Sequence, residues 1–292
     1  MTTSPIDSPI NAPINTPVNT PVITAPWLKA KLEQSPEPPD IVIIDCRFSL
    51  AEPDLGRKQY QINHLPGAYY LDLNQDLSSP VQKHGGRHPL PDLEQLAAKF
   101  AALGITLGET LVVAYDDSRF AFAARLWWLL RYLGHDYITL LDGGFSGWQN
   151  QGYPLTSELP PAPAKIGKFI PQLRPEMLVD IHQVKARQGQ TALVDSREPE
   201  RYRGEREPID PVAGCISGAL NYPWQEVTDA QGYLQPLGIH QERWEGLQER
   251  TEIMVYCGSG VTACVNLLSL EIAGIKTSKL YAGSWSDWCS YF

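Results

Sequence analysis

The chain has 292 residues, a length that favours two domains of ordinary size. Hydrophobic residues make up 43% and charged residues 20% of the sequence, a composition that excludes a wholly disordered chain. The net charge of −9 argues against nucleic acid or an anionic membrane as the main partner, since both attract basic surfaces. No apolar run approaches the roughly 18–20 residues that span a bilayer. We therefore expect neither partner.

The cysteines are five in number and do not form the closely spaced pairs that bind metals. An odd, dispersed set argues against a disulfide framework and against a structural zinc site. We expect a reducing compartment, the cytoplasm, in which one of these thiols is the reactive group. We expect no metal ion and no cofactor.

The N-terminal segment carries a proline at every fourth residue from Pro13 to Pro21. Proline lacks the amide hydrogen that a helix needs, so this spacing blocks helix formation. The segment also lacks lysine, arginine and an apolar stretch, which argues against a targeting signal. It predicts a disordered or polyproline-like tail over residues 1–21.

Four segments of the remaining sequence occur twice, in the same order. The paired segments are 41–47 with 192–197, 64–68 with 215–219, 111–115 with 251–256, and 142–148 with 282–288. The near-constant separation of the pairs indicates two copies of one domain. Prolines and weak periodicity in the intervening stretch predict a linker. We expect a first domain at 22–154, a linker at 155–175 and a second domain at 176–292.

Each copy alternates short apolar runs with helical patterns. The apolar runs, rich in valine and isoleucine, predict buried parallel strands at 41–44, 111–115, 192–195 and 252–256. The helical patterns cover 92–103, 121–133 and 264–273. Strands that alternate with helices predict an α/β fold in which each domain is a parallel sheet covered by helices on both faces.

The strand that ends at Tyr256 runs directly into Cys257 and a glycine-containing loop, 257–263, followed by a helix. Ligands of such sheets bind beyond the carboxyl ends of the strands. Glycines let the loop turn its amides inward, and the helix N-terminus adds positive potential. Cys257 is therefore predicted to be a reactive thiolate. The alternative is a buried, inert cysteine.

The matching position of the first copy is Asp116. A carboxylate cannot replace a soft sulfur nucleophile, so the first domain is predicted to be catalytically silent. The other four cysteines are interpreted as bystanders.

On these motifs the chain resembles two-domain sulfurtransferases of the rhodanese superfamily, which act on thiosulfate or 3-mercaptopyruvate. The segments that carry the resemblance are 257–263, the paired 64–68 and 215–219, 201–205, and 283–288. The resemblance implies two similar α/β domains with the active site in the cleft between them. It also implies that the cysteine takes a sulfane sulfur from a small anionic donor, becomes a persulfide and passes the sulfur to cyanide or a thiol, such as that of a thioredoxin-like protein.

The resemblance assigns roles residue by residue. Cys257 matches the nucleophile, and Arg201 matches the arginine that holds the anionic donor. Arg197 has two candidate roles, donor binding or internal pairing with a carboxylate. Ser259 matches a serine that acts with a histidine and an aspartate, and His88 is the best match for the histidine. The loop positions expected to line the donor site are Gly258, Gly260, Val261 and Thr262.

Two local features bear on the donor. Thiosulfate-preferring relatives carry basic residues directly after the cysteine, whereas this chain has Gly258 and Ser259, which favours 3-mercaptopyruvate. The position that aligns with the aspartate is Asn74, although Asp72 and Asp76 lie nearby. The chain also departs from the family where an arginine often follows a Glu-Pro pair, since it has Ile209 and Asp210 there.

Other functions remain open at this point. Within the family, the alternatives are a thiosulfate-preferring enzyme and a protein that relays sulfur to a partner. A cysteine phosphatase or arsenate reductase needs an arginine six residues after the cysteine, and that position is Ala263. A non-catalytic binding module would have no need for a cysteine in this loop.

Overall fold

The computed structural model describes residues 20–33 and 41–292. The predicted N-terminal tail lies almost wholly outside the described residues. Two α/β units follow one another along the chain. In the part of the chain that the structure describes, no helix is long and apolar enough to cross a membrane.

The first unit contains five strands and five helices among the described residues. The strands are β1 (Val22–Ile23), β2 (Ile41–Asp45), β3 (Tyr69–Tyr70), β4 (Leu111–Tyr115) and β5 (Ile138–Leu141). The helices are α1 (Ala25–Glu33), α2 (Leu55–Ile62), α3 (Leu93–Ala102), α4 (Ala123–Tyr132) and α5 (Gly144–Asn150).

The second unit repeats this plan. Its strands are β6 (Leu178–Val179), β7 (Thr191–Asp195), β8 (Leu220–Asn221), β9 (Glu252–Tyr256) and β10 (Ser278–Tyr281). Its helices are α6 (Ile181–Ala186), α7 (Pro199–Tyr202), α8 (Leu237–Trp244), α9 (Ala263–Ile272) and α10 (Ser284–Cys289). Short 3₁₀ helices occur at Pro175–Met177, Trp224–Val227 and Glu245–Leu247.

The two sheets have the same topology. Their strand orders are β1-β5-β4-β2-β3 and β6-β10-β9-β7-β8, and every pairing is parallel. The central strands β4 and β9 are almost wholly buried, because helices cover both faces of a parallel sheet. The predicted fold class, two α/β repeats with parallel sheets, is confirmed.

The units share one hydrophobic core. Helices α4 and α9, which follow the equivalent strands β4 and β9, pack against each other across the pseudo-symmetric boundary. Their buried side chains, such as Leu126, Trp128, Val265 and Leu268, belong to a single apolar cluster. This contact brings the loop after β4 and the loop after β9 close to the same interface.

Candidate active site

Cys257 follows the last residue of β9, at the carboxyl end of the second sheet. It is 2% exposed, and its backbone is fixed from both sides. The Cys257 amide donates to Ser284 Oγ at 3.1 Å, and the Cys257 carbonyl accepts from the Trp285 amide at 3.1 Å. The start of α10 therefore fixes where the thiol lies.

The loop after Cys257 turns sharply at Gly260, whose φ is +76°. A Cβ built at this position would lie 2.2 Å from the carbonyl oxygen of Ala282, a distance that no side chain tolerates. Glycine is thus required both by the left-handed backbone and by the close approach. Val261 is buried and Thr262 half-buried directly before α9 begins.

The equivalent loop of the first unit is closed around Asp116. The Asp116 carboxylate is buried and accepts hydrogen bonds from four backbone amides, at distances of 2.8 to 3.1 Å. The donors are Ser118, Phe120, Phe122 and Ala123. Burial raises the pKa of this carboxyl above its ordinary value, and the four amides oppose that rise. An internal carboxylate therefore uses the amides that such a loop offers to an anion.

We expect Asp116→Ala to lower the free energy of unfolding by about 3 kcal/mol or more, because four buried amides lose their acceptor. Urea unfolding measures this loss, and Asp117→Ala is the matched control. Asp117 is exposed and accepts from the Ser146 amide. Equal effects of the two substitutions would contradict a special role for Asp116. The specific activity of the folded fraction should change little, because the Asp116 side chain bonds to amides of its own loop and of the start of α4.

A loop of the first unit, residues 84–88, lies over the second unit. Its anchors are on α10 and on the residue that follows it. The Gly85 amide donates to Asp287 Oδ1 at 2.7 Å, the Arg87 amide donates to Ser286 Oγ at 3.1 Å, and His84 Nδ1 is 2.7 Å from Ser290 Oγ. These contacts carry the next residue, His88, to the cysteine loop.

His88 Nδ1 lies 2.8 Å from Ser259 Oγ, so the structure brings this predicted pair together across the two units. Burial, reinforced by the charges of Arg125 and Arg87, lowers the pKa of His88 to about 4. The imidazole is therefore neutral near pH 7 and can exchange a proton with the serine hydroxyl.

The predicted third member of this arrangement is not found on His88 among the described residues. The Asp72 carboxylate accepts from the amides of Asn74 and Gln75, and Asp76 pairs with Lys99. These two acids, the candidates offered by the sequence, thus have their partners within the first unit and not on His88. The structure supports a Ser-His pair.

Two guanidinium groups converge over Gly258, directly after the cysteine. A Cβ at this position would lie 2.9 Å from Arg87 Nη2 and 3.5 Å from Arg201 Nη2. Asp210 accepts from both arginines, and Glu207 accepts from Arg201 at 2.8 and 3.1 Å. Burial raises the pKa of the Asp210 carboxyl, against the opposing charge of Arg87. This is the place where an anion next to Cys257 would meet positive charge.

Of the two roles predicted for Arg197, donor binding and internal pairing with a carboxylate, the structure shows the internal pairing. Its guanidinium is buried and paired with Asp195 Oδ2 at 2.6 Å, and it also donates to Glu207 and to the Gly214 carbonyl. The first unit repeats this pair in Arg47 and Asp45, also at 2.6 Å. Because the pair is also present in the first unit, which has Asp116 at the position of Cys257, the geometry favours internal pairing over direct donor contact for Arg197.

Sequence reasoning missed three residues that the structure places at the site: Arg87, Arg125 and Ser284. Arg87 has a local signal, since it precedes His88. Arg125 interrupts an otherwise apolar stretch of α4, and its guanidinium donates to the carbonyls of Gly260 and His88. Ser284 has no local signal, because its role depends on a left-handed φ of +57° that sets it beneath the Cys257 amide.

The chain matches the family model "Rhodanese-like domain" twice, over residues 24–151 and 180–291. It is 46% identical over 276 residues to a relative from Pseudomonas aeruginosa named "Probable 3-mercaptopyruvate sulfurtransferase", a match that covers 91% of this chain and 94% of the relative. It is 30% identical to the thiosulfate sulfurtransferase of Rattus norvegicus, with 91% of both chains covered.

A solved structure of a sulfurtransferase is also similar to this chain. The 3-mercaptopyruvate sulfurtransferase from Leishmania major aligns with a TM-score of 0.80 at 27% sequence identity. The alignment covers 95% of this chain and 76% of that one. The similarity therefore extends over both units and the boundary between them.

Proposed function

The chain belongs to the family of rhodanese-like domains, and from this premise we propose that it takes the thiol sulfur of 3-mercaptopyruvate as the outer sulfur of a persulfide on Cys257 and passes it on as sulfane sulfur. The acceptor is cyanide or a thiol. The family predicted from the sequence and the enzyme class, a sulfurtransferase, are both confirmed. The observation that carries the choice of donor is the Ser259–His88 pair, with 2.8 Å between Oγ and Nδ1, because only 3-mercaptopyruvate leaves an enolate that needs a proton.

In the first half-reaction the Cys257 thiolate attacks the sulfur of the donor. A sulfur–sulfur bond forms, and the carbon–sulfur bond of 3-mercaptopyruvate breaks with its electron pair left on the enolate of pyruvate. The thiol proton of the donor stays on the outer sulfur of the new persulfide. This is covalent catalysis in which one group transfer is divided into two steps.

The enolate then needs a proton, and the persulfide has one to lose. Ser259 and the neutral His88, whose ring nitrogen lies 2.8 Å from the serine oxygen, can pass this proton from the persulfide to the enolate carbon. Pyruvate leaves, and the enzyme retains a persulfide anion. The pair needs no carboxylate for this task, since the histidine begins and ends the step neutral.

Arg201 and Arg87 position the donor. A guanidinium offers a planar fork of donors that suits a carboxylate. The family position that often carries a second arginine is Ile209 here, and Ile209 is exposed. Arg87 provides the second guanidinium from the other unit. Asp210 shares both arginines in the absence of donor and must yield part of that hydrogen bonding when the donor carboxylate binds.

In the second half-reaction the acceptor attacks the outer sulfur of the persulfide. The sulfur–sulfur bond breaks, and the Cys257 thiolate is released. All five cysteines are free thiols, which suits a reducing compartment such as the cytoplasm. A small thiol, cyanide or the thiol of a thioredoxin-like protein has the required chemistry.

The donor preference is tested by measuring kcat/KM for 3-mercaptopyruvate and thiosulfate with cyanide as acceptor. We expect 3-mercaptopyruvate to be favoured by about tenfold or more. Ser259→Ala should reduce this ratio, because only the 3-mercaptopyruvate reaction has a proton to move. A preference of the unmodified enzyme for thiosulfate would contradict the proposed donor and favour the thiosulfate-preferring alternative.

A further inference from the structure

Arg125 is a fully buried arginine on α4 of the silent unit, with 0% exposure. Its Nη1 donates to the Gly260 carbonyl at 3.1 Å and its Nη2 to the His88 carbonyl at 3.3 Å. Nε has no hydrogen-bond partner among residues 20–33 and 41–292. The guanidinium thus lies against the backbone of the cysteine loop and of the loop that carries His88.

A buried positive charge is costly unless an anion compensates it. The other three buried arginines have such anions, since Arg47 pairs with Asp45, Arg197 with Asp195, and Arg201 with Glu207 and Asp210. Arg125 forms no ion pair with any described residue. Carbonyl dipoles satisfy two of its nitrogens but leave its charge without a counter-ion in the resting enzyme.

The groups that face Arg125 are few. They are the carbonyls of Gly260 and His88, the Cys264 thiol, which shares the Gly260 carbonyl, and the ring of Trp128, whose centroid is 6.0 Å from the guanidinium carbon. Gly260 lies three residues after Cys257 in the same loop. Burial raises the pKa of Cys264 to about 12, although Arg125 opposes the rise, and its thiol donates to the Gly260 carbonyl at 3.5 Å. Cys264 therefore stays neutral.

Burial likewise lowers the pKa of the Arg125 guanidinium, while the thiols of Cys257 and Cys264 oppose that change. Arg125 donates to the Gly260 carbonyl of the loop that begins at Cys257, the proposed nucleophile, so its charge lies against the loop that carries the reacting sulfur. The charges of Arg87 and Arg201 are shared with Asp210.

We propose that Arg125 is the counter-ion of the Cys257 thiolate and of the persulfide anion that replaces it, and that it also positions His88 against the cysteine loop. The catalytically silent unit then contributes a permanent charge to the reaction as well as a surface. The inference rests on the proposed role of Cys257 as nucleophile. Because the cysteine sulfur is anionic before and after donor cleavage, one fixed cation serves both states.

The test is the pH dependence of Cys257 alkylation by iodoacetamide in the full chain, followed by mass spectrometry of the labelled peptide. We expect Arg125→Met to raise the midpoint of labelling by about one pH unit or more. Arg125→Lys should retain most of the original midpoint, since it keeps the charge. Arg131→Met is the matched control on the same helix, because Arg131 pairs with the partly exposed carboxylates of Asp136 and Glu271.

Labelling needs neither donor nor acceptor, so it is independent of the proposed donor. An unchanged midpoint in folded Arg125→Met would overturn the inference, as would an equal shift in Arg125→Lys. If the methionine variant does not fold, a folded lysine variant with a near-original midpoint still supports a requirement for charge. Failure of both variants to fold would show a packing role and would also count against the inference.

Discussion

Replacing Cys257 by serine is expected to reduce sulfur transfer to cyanide to below roughly one thousandth of the original rate with either donor. Serine fits the buried position, but a hydroxyl is neither ionised near pH 7 nor soft enough to hold a sulfane sulfur. Rates of thiocyanate formation from 3-mercaptopyruvate and from thiosulfate measure the effect. The backbone contacts of this position to Ser284 and Trp285 do not involve the sulfur, so the fold should be retained.

The matched control is Cys264→Ser, seven residues further along the same loop and helix. Cys264 is fully buried, and its thiol donates to the Gly260 carbonyl. A serine can make the same contact, so most activity should remain. Substantial residual transfer in Cys257→Ser, or an equal loss in both variants, would show that Cys257 is not the sulfur carrier.

The central strands could be predicted because a strand that is buried on both faces of a sheet needs apolar residues at nearly every position, and such a run is visible in the sequence. The runs at 111–115 and 252–256 coincide with β4 and β9, and those at 41–44 and 192–195 fall within β2 and β7. The edge strands β1, β3, β6 and β8 are only two residues long. A two-residue strand has no periodicity to detect, since its pairing depends on the neighbouring strand.

The candidate nucleophile could be proposed for a similar local reason, because the strand, the cysteine and the glycine loop are consecutive. The positive charges around it could not be proposed in this way. Arg87 and Arg125 come from the first unit, 170 and 132 residues before Cys257, and reach the site only because the two units pack through α4 and α9. Internal duplication indicated two domains but carried no information about which surfaces face each other.

The sequence also could not show which arginines pair with internal carboxylates. Four arginines lie at 197, 201, 203 and 206, and their spacing does not say which of them bind internal carboxylates. The structure separates them: Arg197 pairs with Asp195, Arg201 lies beside Gly258, and Arg203 pairs on the surface with Glu205. Of these three arginines, only Arg201 has a nitrogen close to Gly258, in the loop that begins at Cys257.

We therefore expect Arg201→Gln to lower kcat/KM for 3-mercaptopyruvate by roughly a hundredfold, equivalent to about 2.7 kcal/mol of lost transition-state stabilisation. The loss should fall on donor positioning, so alkylation of Cys257 by the uncharged reagent iodoacetamide should change little. Arg203→Gln is the matched control, because Arg203 is half-exposed and its partner Glu205 is exposed. Surface pairs of this kind contribute little to stability or binding.

Asp210→Asn is expected to have the opposite effect on donor binding from Arg201→Gln. Asp210 shares Arg87 and Arg201, so it competes with an anionic donor for the same guanidinium groups. An amide keeps one acceptor oxygen but removes the negative charge, and we expect KM for 3-mercaptopyruvate to fall. A fall in KM with Asp210→Asn, together with a rise with Arg201→Gln, would locate the donor carboxylate between these side chains. Equal losses of activity in Arg201→Gln and Arg203→Gln would instead place it elsewhere.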